Sequence, residues 1–308
     1  MAGPSDETRR EDHDPGANVV RPPVFAGRFY PADEAECQRA AAHYVNSADL
    51  GGADDRTRWL GGIVPHAGWI CSAAIAGQTV AAMRARQADV VIVFGAIHTP
   101  LPTPVAALDV HRRWQTPGAE YEVAQHLQAK LRESPRLFAV DERFHDHEHA
   151  VEVELPLIRA AWPDAMVLPI EVPVSDDAID IGQRTAQLVI QTGLSAVYLA
   201  SSDLTHYGPN YSFAPVGVGM AAMQWAKEND RKLLEVVTAM TPERVVPHVR
   251  ENLNACGGGA IAAMMSACRE HGARSANVLR HANSFEVLKD VAPQRPDNAV
   301  GYAGVVVG

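Results

Sequence analysis

The sequence predicts a single α/β domain, a mostly parallel central sheet flanked by helices. Short, almost wholly apolar runs of strand length recur at residues 60–64, 90–94, 165–170, 196–200 and 303–307. Segments with helical spacing lie between them, and no internal repeat or second linker divides the chain. Strands that are apolar on both faces need cover on both faces, and helices alternating with them supply it in a parallel sheet. A length of 308 residues lies within the range of one such unit.

The elements follow in order. Residues 1–20 are polar, charged and bear Gly and Pro, so they bury too little apolar surface to offset the entropy of ordering; a disordered tail is expected there, and the domain is expected to span 21–308. Residues 34–45 carry alanines at helical spacing and 73–85 are alanine-rich. Residues 121–131 place Val123, Leu127 and Leu131 on one helical face, and 151–161, 177–190, 218–237 and 259–271 follow the same period. The Pro-rich stretch 99–104 and the segment 205–215 read as loops at the rim of the sheet.

Composition narrows the function. Hydrophobic residues make up 47% and charged residues 21% of the chain, whereas aromatics reach only 6%, so aliphatic side chains must fill the core. A net charge of −10 repels phosphate backbones and anionic lipid heads, which argues against nucleic acid and membrane surfaces as partners. No run approaches the roughly 20 apolar residues that span a bilayer. The first twenty residues have no apolar signal region, so a cytoplasmic protein is expected. Four cysteines without a C-x-x-C pair speak against a disulfide framework or a zinc ribbon. Cys37, Cys71 and Cys268 fall in helical patterns and read as packing residues.

The polar residues that carry chemistry sit just past the apolar strands. GGIVPHAGW puts His66 after one strand, VVIVFGAIHTP puts His98 after the next, and AVYLASSDLTHYG puts Asp203 and His206 after a third. Open α/β sheets bind ligands outside the carboxyl ends of their strands, so these groups share one rim. Thirty-two residues separate His66 from His98, about one strand–helix–strand unit, which suggests adjacent parallel strands. In NACGGGAIAAMM, Cys256 precedes three glycines and an apolar helix, a place where N–H groups favour a thiolate and where glycine permits close approach of a ligand. A thiolate with two imidazoles suits Zn, Cu or Fe better than Mg or Ca. Asp203 and His206, three apart, form an acid/base pair if their segment turns helically.

Each residue also has a plainer reading. A histidine after a strand can be a hydrogen-bonded loop residue, Cys256 a small buried hydrophobe and Asp203 a turn cap. In HDHEHAVEVELP, His145 and His147 read as a solvated start to a helix whose acidic residues suit its first turn, and Asp146 as its cap. His149 and Glu152 are the better candidates there to reach the site pocket.

Seven blocks, in order, resemble the signatures of the Memo family: AGRFYP at 26–31, PHAGW at 65–69, GAIHTP at 95–100, EHAVEVELP at 148–156, SSDLTHYG at 201–208, NACGGGA at 254–260 and GYAGVV at 301–306. The pattern is similar to that of the prokaryotic branch found as protein B of the AmmeMemoRadiSam system. The resemblance implies a fold like that of class III extradiol dioxygenases, whose non-haem Fe(II) is held by two histidines and a glutamate. It places metal-site positions on His66, His98 and Cys256, and neighbouring pocket positions on Asp203 and His206, the latter matching the dioxygenases' acid/base histidine. Cysteine stands where the dioxygenases have their carboxylate, and a softer, oxidisable donor means that catechol ring cleavage does not carry across. The activity expected is iron-dependent redox or oxygenase-type chemistry on an unknown small-molecule or protein substrate, with copper or zinc as alternative metals. AMMECR1-like and radical SAM proteins of the same system are the partners implied. Two other readings stand beside it: a non-enzymatic scaffold with a vestigial pocket, and a protein that holds iron or copper without turnover.

Overall fold

The structure, a computed structural model, describes residues 20–50, 58–293 and 295–308. The disordered tail expected at 1–20 therefore lies outside the described residues except for Val20, which begins a short strand. In chain order the elements are β1 (Val20–Arg21), α1 (Glu34–Asn46), β2 (Gly61–Val64), α2 (Trp69–Met83), β3 (Val90–Ala96), β4 (Ala106–Leu108), β5 (Arg113–Thr116), β6 (Ala119–Glu122), α3 (Gln125–Leu131) and β7 (Phe138–Val140). They continue as α4 (Leu155–Ala161), β8 (Met166–Val172), α5 (Ala178–Thr192), β9 (Ala196–Ser201), β10 (His206–Tyr207), α6 (Met220–Thr238), α7 (Val245–Asn252), α8 (Gly258–Glu270), β11 (Ala276–Asn283), α9 (Ser284–Leu288) and β12 (Ala299–Val307).

The main sheet runs β10-β12-β2-β9-β3-β8-β4-β7, with β11 paired to the other side of β12. Its centre, β2-β9-β3-β8, is parallel. Its flanks are mixed: β12 runs antiparallel to β2, β10 and β11 run antiparallel to β12, and β4 runs antiparallel to β8. The sheet is thus α/β as expected but parallel only through its middle. The nine residues between β3 and β4 hold no helix and are too few for a crossover, which takes a dozen or more, so β4 returns antiparallel.

Alternation explains why the central strands read as unbroken apolar runs. Val90, Ile92 and Phe94 of β3 join the core on one face, whereas Val91 and Val93 join the core on the other. In β9, Ala196, Tyr198 and Ala200 divide from Val197 and Leu199 in the same way. Helices α5 and α8 cover the first face, and α1, α2 and α4 cover the second. Two helical spans come out shorter than their periodicity suggests. Tyr121 lies in β6, so the helix begins only at Gln125, and a single 3₁₀ turn, Glu152–Glu154, precedes α4. No helix of the described residues is long and apolar enough to cross a membrane.

The N-terminal segment is strapped to the domain by one buried ion pair. Arg21 Nη1 donates to Glu152 Oε2 at 2.6 Å, and both side chains are essentially inaccessible. The guanidinium also donates to the carbonyls of His145 and Glu148, both at 2.8 Å, and lies over the Trp114 ring. Glu152 in turn accepts from the amides of Val24 and Phe25 and from the Tyr30 hydroxyl. Breaking a buried pair by removing one partner costs about 3–5 kcal/mol, because the other charge is left without compensation. Glu152→Ala is therefore expected to lower the unfolding free energy by about that amount in a urea titration, and a loss below about 1 kcal/mol, the scale of a surface pair, would contradict the strap.

Candidate metal centre

The parallel centre of the sheet sends β2, β9 and β3 to the same rim, and the site is built from the residues that follow them. β9 lies between β2 and β3, so the two histidines are not on adjacent strands as their spacing suggested. The inserted strand delivers Ser201 and Asp203 between them, with Ser201 paired to Val64 at the end of β2.

His66 is buried. Its amide donates to Asp203 Oδ1 at 2.9 Å, and its ring Nδ1 lies 2.8 Å from Ser201 Oγ. The Ser201 hydroxyl has one proton, and that proton goes to the carbonyl of Ala150 at 2.5 Å. Ser201 must then accept from His66 Nδ1–H, which leaves Nε2 as the nitrogen turned to the cluster, where a proton or a cation can sit. Nε2 faces Cys256 Sγ at 3.3 Å.

His98 is oriented by a carboxylate. Its amide donates to Glu148 Oε2 at 2.7 Å and its Nδ1 lies 2.9 Å from Oε1. Glu148 is fully buried and also accepts from the amides of His149 and Ala150 at 2.7 and 3.0 Å, with His149 Nδ1 at 3.1 Å. Burial works against its charge, but hydrogen bonds from His149 and His98 more than compensate and hold the carboxyl far below the usual range. An ionised Glu148 only accepts, so His98 carries a proton on Nδ1 and also turns its Nε2 inward. The two rings meet edge to face, with centroids 5.1 Å apart.

Cys256 completes the group. Ligand atoms of His66, His98 and Cys256 all lie within 4.8 Å of one another. Its amide donates to the carbonyl of Asp203, which ties the start of α8 to the strand ends. The glycines that follow serve packing rather than approach by a ligand. A Cβ on Gly257 would stand 2.7 Å from the Ser201 carbonyl oxygen, and one on Gly259 would collide with the Pro173 carbonyl. Burial disfavours a thiolate, but the His66 ring beside Cys256 outweighs it and brings the thiol well below its ordinary value. Burial likewise opposes charge on the rings; Cys256 and Asp203 nevertheless carry His66 up to about 9, and hydrogen bonds to Cys256 and Glu148 carry His98 up to about 11. The cluster is a thiolate sharing protons with two imidazoles, which is the charge pattern a cation replaces.

A second group, His98, Glu148 and His149, also comes within ligand range. Glu148 is already committed to five donors, and His98 presents its protonated nitrogen to it, so a cation there would displace hydrogen bonds rather than protons. The first group fits a metal and the second does not.

The remaining expected residues divide. Asp203 Oδ2 stands 3.9 Å from His206 Nε2, but the segment is extended, not helical: His206 pairs with Val300 in β10. The half-exposed His206 ring stacks on Tyr211, with centroids 5.0 Å apart. Burial opposes its charge, and Asp203 raises its pKa above the ordinary histidine value. His149 lies at the mouth, 4.5 Å from the His98 ring and 4.8 Å from Phe29, centroid to centroid, and burial keeps it neutral. Glu152 does not reach the site; it holds the strap that lays Phe25 and Phe29 against His149. His147 is exposed, whereas His145 is fully buried rather than solvated. Glu148 and Ser201 went unnoticed as site residues; the signal was there in the H-D-H-E-H run and in the serine that closes an apolar strand.

The family model described as Memo-like protein matches residues 21–306. This chain belongs to the Memo family. It is 30% identical to a MEMO1 family protein of Methanococcoides burtonii over 293 residues, covering 94% of this chain and 100% of that protein. A MEMO1 family protein of Methanosarcina barkeri is 31% identical with the same coverages, and one of Thermococcus onnurineus is 28% identical, over 94% of this chain and 99% of its own length. The match takes in the whole rim of this Memo-family chain, from His66 to Cys256.

Glu148 makes a pH-dependent contribution with a definite sign. Its folded carboxyl is depressed, so the stability it supplies is fully present above the unfolded carboxylate pKa and is lost as pH falls toward the folded value. Glu148→Gln is expected to be less stable than wild type near neutral pH, with the gap narrowing as the pH drops below about 4. Equal acid slopes in the two proteins, read by denaturant unfolding at several pH values, would contradict this.

Proposed function

We propose that His66, His98 and Cys256 hold one metal ion, iron first and copper or zinc as alternatives, for redox or oxygenase-type chemistry on a small substrate. The observation that carries this is convergence: two imidazole rings, each fixed by a partner on Nδ1, bring their ligand atoms together with a thiolate, and a cation can replace the protons they share. Soft and borderline donors of this kind favour Fe, Cu or Zn over Mg or Ca. Three protein ligands leave coordination positions open, and an iron ion there would supply electron transfer to oxygen or substrate.

The chain's own residues divide the rest of the work. Ser201 and Glu148 keep the two rings in the ligating tautomer. His206 is the acid/base group, standing at the half-exposed side of the site, and Asp203 orients it while also gripping the His66 amide. Phe25 and Phe29 limit water at the His149 side. AMMECR1-like and radical SAM proteins remain the partners proposed from the family resemblance.

Metal titration of protein purified without oxygen tests this reading. One equivalent of Fe(II) or Zn(II) per chain is expected, with Cys256→Ser costing more affinity than His149→Ala and His206→Ala keeping the stoichiometry while losing any oxygen uptake. Comparable losses at Cys256 and His149 would sink the ligand assignment, and loss of metal in His206→Ala would make that residue a ligand. Because His66 and His98 hold protons up to about 9 and 11, metal loading near neutral pH is expected to release protons, seen as a buffer-dependent calorimetric heat. A heat independent of buffer would contradict the proton-sharing cluster.

A further inference from the structure

Beneath the His98 loop lies a second polar cluster that the proposed chemistry does not use. Glu171 of β8 is fully buried, and its backbone pairs with Gly95 of β3 on one side and Ala107 of β4 on the other. Its carboxyl occupies the space over Gly95, where any Cβ would collide with it. Among the described residues neither carboxyl oxygen has a hydrogen-bond partner, and neither does Nδ1 of the equally buried His145, which stands 3.9 Å from Glu171 Oε1. Buried polar groups are nearly always satisfied by protein or ordered water, so three such atoms side by side call for a shared partner.

The protonation states follow from the neighbours. His145 Nε2 lies 3.2 Å from the Ala107 carbonyl, which can only accept, so Nε2 carries the hydrogen. Burial keeps the ring neutral, so Nδ1 is a bare lone pair. Among the described residues no donor reaches Glu171 to stabilise a negative charge. Burial, and then the nearby charge of Glu148, raise its carboxyl well above the usual range; His98 and Arg21 oppose this and Asp109 adds to it. A carboxylic O–H thus faces an imidazole lone pair. At 3.9 Å the two are too far apart for a direct bond, and a water about 2.8 Å from each would join them.

We propose that Glu171 and His145 share one buried proton through a single ordered water, forming a proton-holding site within electrostatic reach of Glu148 and His98. Glu171 O–H donates to the water and the water donates to His145 Nδ1; no charge is created. This neutrality matters to the metal centre, because an ionised Glu171 would add a second anion beside Glu148 and alter the field at His98. The proposal does not depend on the metal reading.

Infrared spectroscopy of the metal-free full chain at about pH 8, well above ordinary carboxyl values, tests it. A protonated-carboxyl carbonyl band that shifts in D₂O is expected in wild type, with one component lost in Glu171→Gln. Glu154 is also buried and raised, so Glu154→Gln is expected to remove a different component. In His145→Leu the Glu171 component is expected to move to higher frequency, since its O–H loses its acceptor chain. No deuterium-sensitive component lost in Glu171→Gln would overturn the proposal, as would a Glu171 band unmoved in His145→Leu. Should a variant fail to fold, ¹³C NMR of wild type labelled at glutamate reads the same point: side-chain carboxyl signals for Glu154 and Glu171 at the protonated position are expected, and a position empty of a Glu171 signal would overturn it.

Discussion

The Glu148 carboxylate is the interaction on which the site depends. It takes the amide and Nδ1 of His98, and it takes the amides of His149 and Ala150, which shapes the turn that follows. The carbonyl of Ala150 then receives the Ser201 hydroxyl, and Ser201 sets the His66 tautomer. One buried charge therefore fixes both imidazoles, the first directly and the second through two intervening residues, Ala150 and Ser201. Remove it and the turn loses its amide acceptor, so neither Nε2 is held toward Cys256. The strap works on the same turn from outside, because Arg21 ties the carbonyls of His145 and Glu148 while Glu152 holds the N-terminal segment against it.

Much of the fold was legible because burial on both faces leaves a plain mark. The runs containing Val91, Leu168 and Val197 are strands, and the alanine-rich segments before and after them are helices. The residues that follow strands could be placed at a rim by a rule of parallel sheets, which is why His66, His98, Asp203 and His206 could be brought together from the sequence; Cys256 follows no strand, and only its place before a helix and the family resemblance pointed to it. Strand order is different. Nothing in the periodicity of Ala196–Ser201 says that it inserts between β2 and β3 rather than beside them, and strand direction leaves no trace in a short run such as Ala106–Leu108. The glycines after Cys256 illustrate a further limit: glycine marks a close approach but does not say of what, and here it is the chain's own carbonyls. Glu148 and Glu152 look alike in sequence, four apart in an acidic run, yet one orients a histidine and the other answers an arginine more than a hundred residues away. Only tertiary contact separates them.

The same physics ties protons to the metal proposed for this site. A thiolate held low and two imidazoles held high describe a cluster whose attraction for positive charge is met by protons when nothing else is bound. Burial outweighs the cations near Glu171 and Glu154 and raises both carboxyls well above the usual range, whereas Glu148 and Asp203 are held low. Asp203 faces both ways, to the His66 amide and to His206, so the proposed ligand and the proposed acid/base group share one carboxylate.

X-ray absorption on the zinc-loaded protein tests the convergence of these donors most directly. One sulfur at about 2.3 Å and two nitrogens at about 2.0–2.1 Å are expected, with the remaining scatterers light atoms. In Glu148→Gln the nitrogen shell is expected to become disordered while the sulfur remains. A first shell without sulfur, or one in which nitrogen and sulfur are untouched by Glu148→Gln, would contradict the claim that this carboxylate builds the site.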